Sequence, residues 1–246
     1  AAPGDRADRR RDRLTRTGRT ASGSRPGSLI VAVARPAIRI DMVSDIVCPW
    51  CAIGLAALDE AIARIGDAAA IEVVFHPLEL NPGLPPEGEP IADNLARKYG
   101  AGPDQARAAG SRIRDAASDV GVDMSGRPDR LYDTFDAHRL LHWAAEAGGQ
   151  PALKRALLDA YFARGENVSD RTVLIATAAR AGLDGDAAAE VLDHGRYASQ
   201  VRAAESYWRE EGVVSVPTIV LEGRLAIPGA QSADRLEKAL RRRIAA

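Results

Sequence analysis

Ile40-Asp41-Met42-Val43-Ser44-Asp45-Ile46-Val47-Cys48-Pro49-Trp50-Cys51 is the stretch whose reading decides the fold. Its first residues belong to a partly alternating, β-rich run that starts at Ala37 and reads as a strand as far as Val43. Ser44 to Val47 form a loop. The cysteine pair then opens an amphipathic segment in which Ile53, Ala57, Ile62 and Ile65 fall near helical spacing, and Gly66 is placed to stop it. Ile71-Glu72-Val73-Val74-Phe75 has strand character again and ends at His76-Pro77. Strand, helix and strand thus follow one another with the cysteines at the first junction.

Beyond this unit the pattern changes. From about Pro90 to Gly212 the chain is rich in Ala, with Gly and Pro punctuating apolar residues at helical spacing. It predicts helices near 91–99, 103–120, 133–147, 152–164, 169–181, 186–194 and 198–211, and no strand. Pro217-Thr218-Ile219-Val220-Leu221, a tight Glu222-Gly223, and Arg224-Leu225-Ala226-Ile227 then read as a hairpin, and Ser232 starts a terminal helix to about Arg243. The predicted class is α/β: a β-α-β unit over 38–89 and a β-β-α unit over 213–246, interrupted by a helical insertion over 90–212.

Residues 1–37 are read as a disordered extension. They mix Arg, Gly, Ser, Thr and Pro, and hold nine Arg against three Asp, so that in a chain of net charge −1 the remaining 209 residues carry −7. A mildly acidic body argues against a nucleic-acid groove. No apolar run approaches the ~18 residues of a membrane-spanning helix, and Leu29-Ile30-Val31-Ala32-Val33-Ala34 is shorter than a signal-peptide core. The expectation is a cytoplasmic protein without membrane partners.

The only two cysteines stand three positions apart in a chain that is 46% hydrophobic and large enough to form a core without a staple. Reversible redox chemistry explains such a pair better than stabilisation does. A cysteine at a helix start meets unpaired N–H groups and the positive end of the helix dipole, which favour a thiolate, so Cys48 is the expected nucleophile. Cys51, one turn on and facing inward, is placed to attack a mixed disulfide formed at Cys48. Pro49 suits the first turn, where a missing N–H costs nothing, and Trp50 offers an apolar platform to a partner. Half a zinc site is the competing reading of CxxC; it would need His138 and His142, four apart on one helix face, as the other ligands. The expectation is no metal.

With these residues in hand, the stretch 40–51 together with Ile53-Gly54 resembles the active-site segment of the DsbA-like thioredoxin family, specifically its FrnE-type branch. Phe75-His76-Pro77-Leu78-Glu79-Leu80-Asn81-Pro82, Thr134-Phe135-Asp136-Ala137-His138-Arg139-Leu140, and Val214-Ser215-Val216-Pro217-Thr218 leading to Gly229-Ala230-Gln231 agree with it, so the likeness spans about residues 38–243. It implies a thioredoxin fold interrupted by helices, with Pro217 cis and lying against the cysteines. It also implies that the backbone of Val216 receives an extended peptide as an added strand. Asp41 matches a buried acid that exchanges a proton with Cys51, a role for which Asp45 competes; His138 is either a structural hydrogen-bonding group or a residue lining the cleft. Ala52, Asp133 and Ile227-Pro228 depart from the branch's usual pattern without removing a reacting group.

The resemblance implies dithiol–disulfide exchange with protein or peptide thiols, needing no cofactor beyond the redox-active pair, with glutathione as a further co-substrate and a monomer or homodimer as the working form. Two other functions share the architecture or the residues: a glutathione-dependent isomerase or transferase of the 2-hydroxychromene-2-carboxylate isomerase or kappa type, and a redox-sensing peptide-binding module.

Overall fold

A computed structural model describes residues 35–245. The Arg-rich run and the rest of residues 1–34 lie outside it, and order is already established at Ala37, the first residue of β1, rather than after it. The described residues form one compact unit.

Strand β1 (Ala37–Ser44) leads into helix α1 (Pro49–Ile65), and a single 3-10 turn at Gly66–Ala68 brings the chain back into β2 (Ala70–Pro77). β1 and β2 pair in parallel, with Ile40 opposite Val73 and Met42 opposite Phe75, so the connection between them is a crossover carrying α1. Helices α2 (Ile91–Tyr99), α3 (Pro103–Asp119), α4 (Phe135–Glu146), α5 (Gln150–Phe162), α6 (Arg171–Arg180), α7 (Gly185–Asp193) and α8 (Ala198–Glu210) follow, close to the predicted spans. Two residues on each side of α2 and α3, β3 (Glu89–Pro90) and β4 (Arg130–Leu131), pair antiparallel, which corrects the expectation of a strand-free insertion. A ladder this short has no period of its own to read in a sequence. The chain closes with β5 (Thr218–Leu221), β6 (Leu225–Pro228) and α9 (Ala233–Ile244), opened by the Ser232 hydroxyl accepting from the Arg235 amide.

The four long strands form one sheet in the order β2-β1-β5-β6, with β5 antiparallel to β1 and to β6. β1 is central and covered on both faces. Ile38, Ile40 and Met42 face a core shared with Leu55 and Leu58 of α1 that continues through Leu140, Leu157, Leu174 and Val191 of the helical segment. Residues of the opposite set, Val43 and Val220, pack with Leu78, Trp208 and Val213 in a second, smaller cluster. This placement sets the loop between β1 and α1 at the carboxyl end of the central strand, where the cysteines lie.

Candidate active site

Cys48 is the N-cap of α1, with extended backbone angles and Pro49 at the first helical position. Its carbonyl accepts from the Cys51 amide at 3.0 Å, which tightens the first turn and puts the two sulfurs on neighbouring positions. Both cysteines are free thiols and both are buried. Cys51 is fully enclosed, while Trp50 between them is 41% exposed and Pro49 half-buried. The apolar indole is therefore presented outward beside the buried Cys48.

The start of β5 lies against the Cys48 sulfur. The Val216–Pro217 peptide bond is cis. The Cys48 thiol points at the Val216 carbonyl, 3.8 Å away. Pro217 is buried, and its carbonyl accepts from the Gly229 amide at 2.7 Å, so the segment is anchored to the far end of the hairpin. Gly54 faces it from α1: a Cβ at that position would lie 3.0 Å from Pro217 Cγ. Cys48, Cys51, Pro49, Trp50, Val216 and Pro217, separated by up to 169 residues in sequence, thus meet at one end of the sheet.

Asp41 does not join them. Residues 41 and 43 share a strand face, and Asp41 stands opposite Val220 in the register, so its carboxylate belongs to the layer of Val43 and Trp208, not to the layer of α1. It accepts from Arg39 at 3.0 and 2.8 Å and lies 2.7 Å from His76 Nε2. Burial pushes Asp41 up, but Arg39 and His76 outweigh it and hold the carboxyl below its ordinary range. His76 is itself pushed down by burial and stacks at a tilt on Trp208, 4.9 Å between ring centres.

Behind Cys51 stands Asp45, fully buried, whose amide donates to Cys51 Sγ at 3.4 Å. The Asp45 carboxylate accepts from the amides of Ile46 and Leu80, each at 2.7 Å, and lies 3.3 Å from His138 Nε2. His138 is buried with it, as a partner of Asp45 on α4. Burial raises Asp45, but His138, the Leu80 amide and the Thr134 hydroxyl together hold it below the usual carboxylate range. Cys51 is displaced the other way: burial and the adjacent Cys48 thiol push it well above an ordinary thiol. Lys154 of α5, also fully buried, is felt by both cysteines and by Asp45. Sequence reasoning missed it, although Lys154, Leu157, Leu158 and Tyr161 lie at i, i+3, i+4 and i+7, which places a lysine in the apolar stripe of α5. Among the described residues no group of three or more His, Cys, Asp or Glu is arranged to hold a metal ion, and no helix is long and apolar enough to cross a membrane.

A four-stranded mixed sheet with a CxxC at the start of its first helix, a proline-led strand against the cysteines and a helical insertion define a thioredoxin-fold protein of the DsbA type. Residues 39–241 match the model of the DSBA-like thioredoxin domain, and the chain belongs to that family. It is similar to a probable DsbA oxidoreductase from Streptomyces coelicolor, with 34% identity and a TM-score of 0.77 over 83% of this chain and 89% of that one. YwbO of Bacillus subtilis (strain 168), a protein described as uncharacterized, is 29% identical over 205 residues, 82% of this chain and 96% of YwbO. The fold also matches the cytosolic disulfide reductase DsbM from Pseudomonas aeruginosa in its structure with GSH, at 19% identity and a TM-score of 0.60 over 85% of this chain and all of that one.

Proposed function

We propose that the chain is a thiol–disulfide oxidoreductase of the FrnE-type branch that exchanges disulfides with protein, peptide or glutathione partners through Cys48 and Cys51, in the cytoplasm. The observation that carries this reading is the position of Cys48: its sulfur sits at the N-terminus of α1 and faces the main-chain carbonyl of Val216. Membership of the DSBA-like family supports the reaction class, and the cytosolic, glutathione-bound DsbM supports the small-thiol partner and the location. An extended peptide docked on the Val216 backbone brings its disulfide within reach of Cys48, and Trp50 gives its apolar side chains a surface. The Cys48 thiolate attacks one sulfur of that disulfide and releases the other as a thiol. Cys51 then attacks Cys48 in the mixed disulfide, frees the second half of the partner and leaves the Cys48–Cys51 disulfide. The reverse sequence donates a disulfide. Retention of both cysteines favours this over an isomerase or transferase, which needs no resolving thiol.

Two variants test it. Cys48→Ser should lose all dithiol exchange with insulin or glutathione disulfide, and Cys51→Ser should accumulate a mixed disulfide visible as a mass increase of the bound half. Turnover retained in Cys48→Ser refutes the proposal. Net direction is read from the reduction potential in glutathione buffers, followed by the fluorescence of Trp50: about −120 mV marks a disulfide donor and about −270 mV a reductant.

A further inference from the structure

Lys154 is the one charged side chain on the buried face of α5, and among the described residues its Nζ has no hydrogen-bond partner. Burying an ammonium without a partner is costly, and Met at that position would fill a similar volume at no electrostatic cost. The groups facing it come from every element around it. Cys51 belongs to α1, Cys48 is its N-cap and Asp45 lies in the β1–α1 loop; His138 reaches Asp45 from α4; Tyr161, two turns along the same stripe of α5, donates to the Arg130 carbonyl at 2.8 Å.

If the exchange reaction proposed above is correct, its second step has an unmet requirement. Cys51 must lose a proton inside a site closed to solvent, and burial makes its thiol a poor acid. Asp45 is badly suited to take that proton, because its two oxygens already accept from Ile46 and Leu80 and face His138, an arrangement that favours the carboxylate as it stands. Lys154 is differently placed: its Nζ is buried without a partner among the described residues, and α5 is held against α1 beside it, where Arg155 donates to Asp59 at 3.0 and 2.5 Å. Burial pushes its proton affinity down, towards a free amine, while Cys51, Asp45 and Cys48 pull it back up, Cys51 most of all.

We propose that Lys154 is the proton acceptor for the resolving cysteine. As Cys51 attacks, its S–H bond breaks and the proton passes to the Lys154 amine, across the gap by rotation of the flexible lysine stem or through one water. The freed sulfur pair forms the Cys51–Cys48 bond. The bond from Cys48 to the partner breaks, and its electron pair leaves on the partner's sulfur, which is reduced as the cysteine pair is oxidised. The partner thiolate is protonated from solvent. The ammonium left behind faces the Asp45 carboxylate, which offsets its burial, and it returns its proton when Cys51 is next reduced. Lys154 takes no part in the first attack by Cys48 on the partner.

The two steps separate in a stopped-flow reaction of the reduced protein with Ellman's reagent, in which attack by Cys48 releases the first thionitrobenzoate and attack by Cys51 the second. Lys154→Met should leave the first phase within about twofold, slow the second about tenfold or more at neutral pH, and move the pH midpoint of the second phase up by about one unit, the shift a tenfold change represents. The variant should melt no lower than the parent, since it removes a buried charge; Lys154→Gln serves as a second variant with the same expectation for the second phase. A folded variant whose second phase keeps its rate and pH midpoint overturns the role of Lys154 while leaving the exchange reaction intact. Absence of a first phase in the parent protein overturns the exchange reaction and this proposal with it.

Discussion

Gly54 shows how little room the site leaves. Its missing side chain lets Pro217 approach α1, with Pro217 Cγ 3.0 Å and the Ala230 backbone 3.6 Å from where a Cβ would stand. Gly54→Val should drive the β5 segment away from the cysteines, costing about 1–3 kcal/mol in stability by overpacking and slowing exchange; urea denaturation and the insulin assay measure the two effects. A valine variant with an unchanged midpoint and rate would show that this contact does not set the cleft. At this scale the cysteines and Trp50 were legible from local signals, a spacing and a helix start, whereas the roles of Val216 and Pro217 came only through the family resemblance, because a proline that opens a strand does not by itself say what it packs against. Asp41 misled because both it and Asp45 fall within the same short run, and only the alternation of the strand, fixed by its pairing with Val220, decides which carboxylate lies on the side of α1. Lys154 was legible in principle as a charge inside an apolar stripe, but a lysine on a helix is ordinarily solvated, and nothing local says that α1 covers this one.

Helix α5 does more than fill space. β2 is an edge strand, and the outward main chain of Phe75 would have no strand beside it. Gln150, the first residue of α5, replaces that strand: its Oε1 accepts from the Phe75 amide at 3.0 Å and its Nε2 donates to the Phe75 carbonyl at 2.9 Å and to the Leu141 carbonyl at 3.3 Å. Gln150→Leu keeps the volume but leaves a buried N–H and C=O unpaired. At roughly 1–3 kcal/mol per orphaned group, the variant should be destabilised by about 2–4 kcal/mol. Exchange of the Phe75 amide hydrogen should quicken ahead of the rest of β2. A loss under about 1 kcal/mol would mean that water replaces the glutamine. The helices themselves were readable from glycine, proline and apolar spacing, and most boundaries fall within two or three residues of expectation. The side-chain bond that ties α5 to the sheet was not, because it joins residues 75 apart in sequence and glutamine carries no signal of what it will meet.

Across the whole unit, the helical segment and the sheet are joined by charge as well as by apolar packing. Glu79, just after β2, and Glu205 of α8 are both buried and share Arg202, whose guanidinium also lies over the Phe135 ring at 3.8 Å. The Glu79 amide donates to Glu205 at 2.8 Å, but one carboxylate oxygen of Glu79 has no partner among the described residues. Arg209 also reaches Glu205, at 3.7 Å, whereas Glu79 has Arg202 alone and shares it; burial, reinforced by Glu205 and only partly offset by Arg202, raises Glu79 from 4.5 to about 7. The folded protein therefore holds this proton over a range in which the unfolded chain has released it. Between those two values stability must fall as pH rises, being fully present below the lower one and lost above the upper one. At 1.36 kcal/mol per unit the displacement sets a ceiling of about 3 kcal/mol, and a realistic loss is about 2 kcal/mol. Glu79→Gln, which carries no titrating proton and can still accept from Arg202, should remove that slope, so that the difference in unfolding free energy between variant and parent changes by about 2 kcal/mol from pH 4.5 to pH 7. Parallel stability curves over this range would show that Glu79 ionises at its ordinary value and that Arg202 neutralises the seam at every pH.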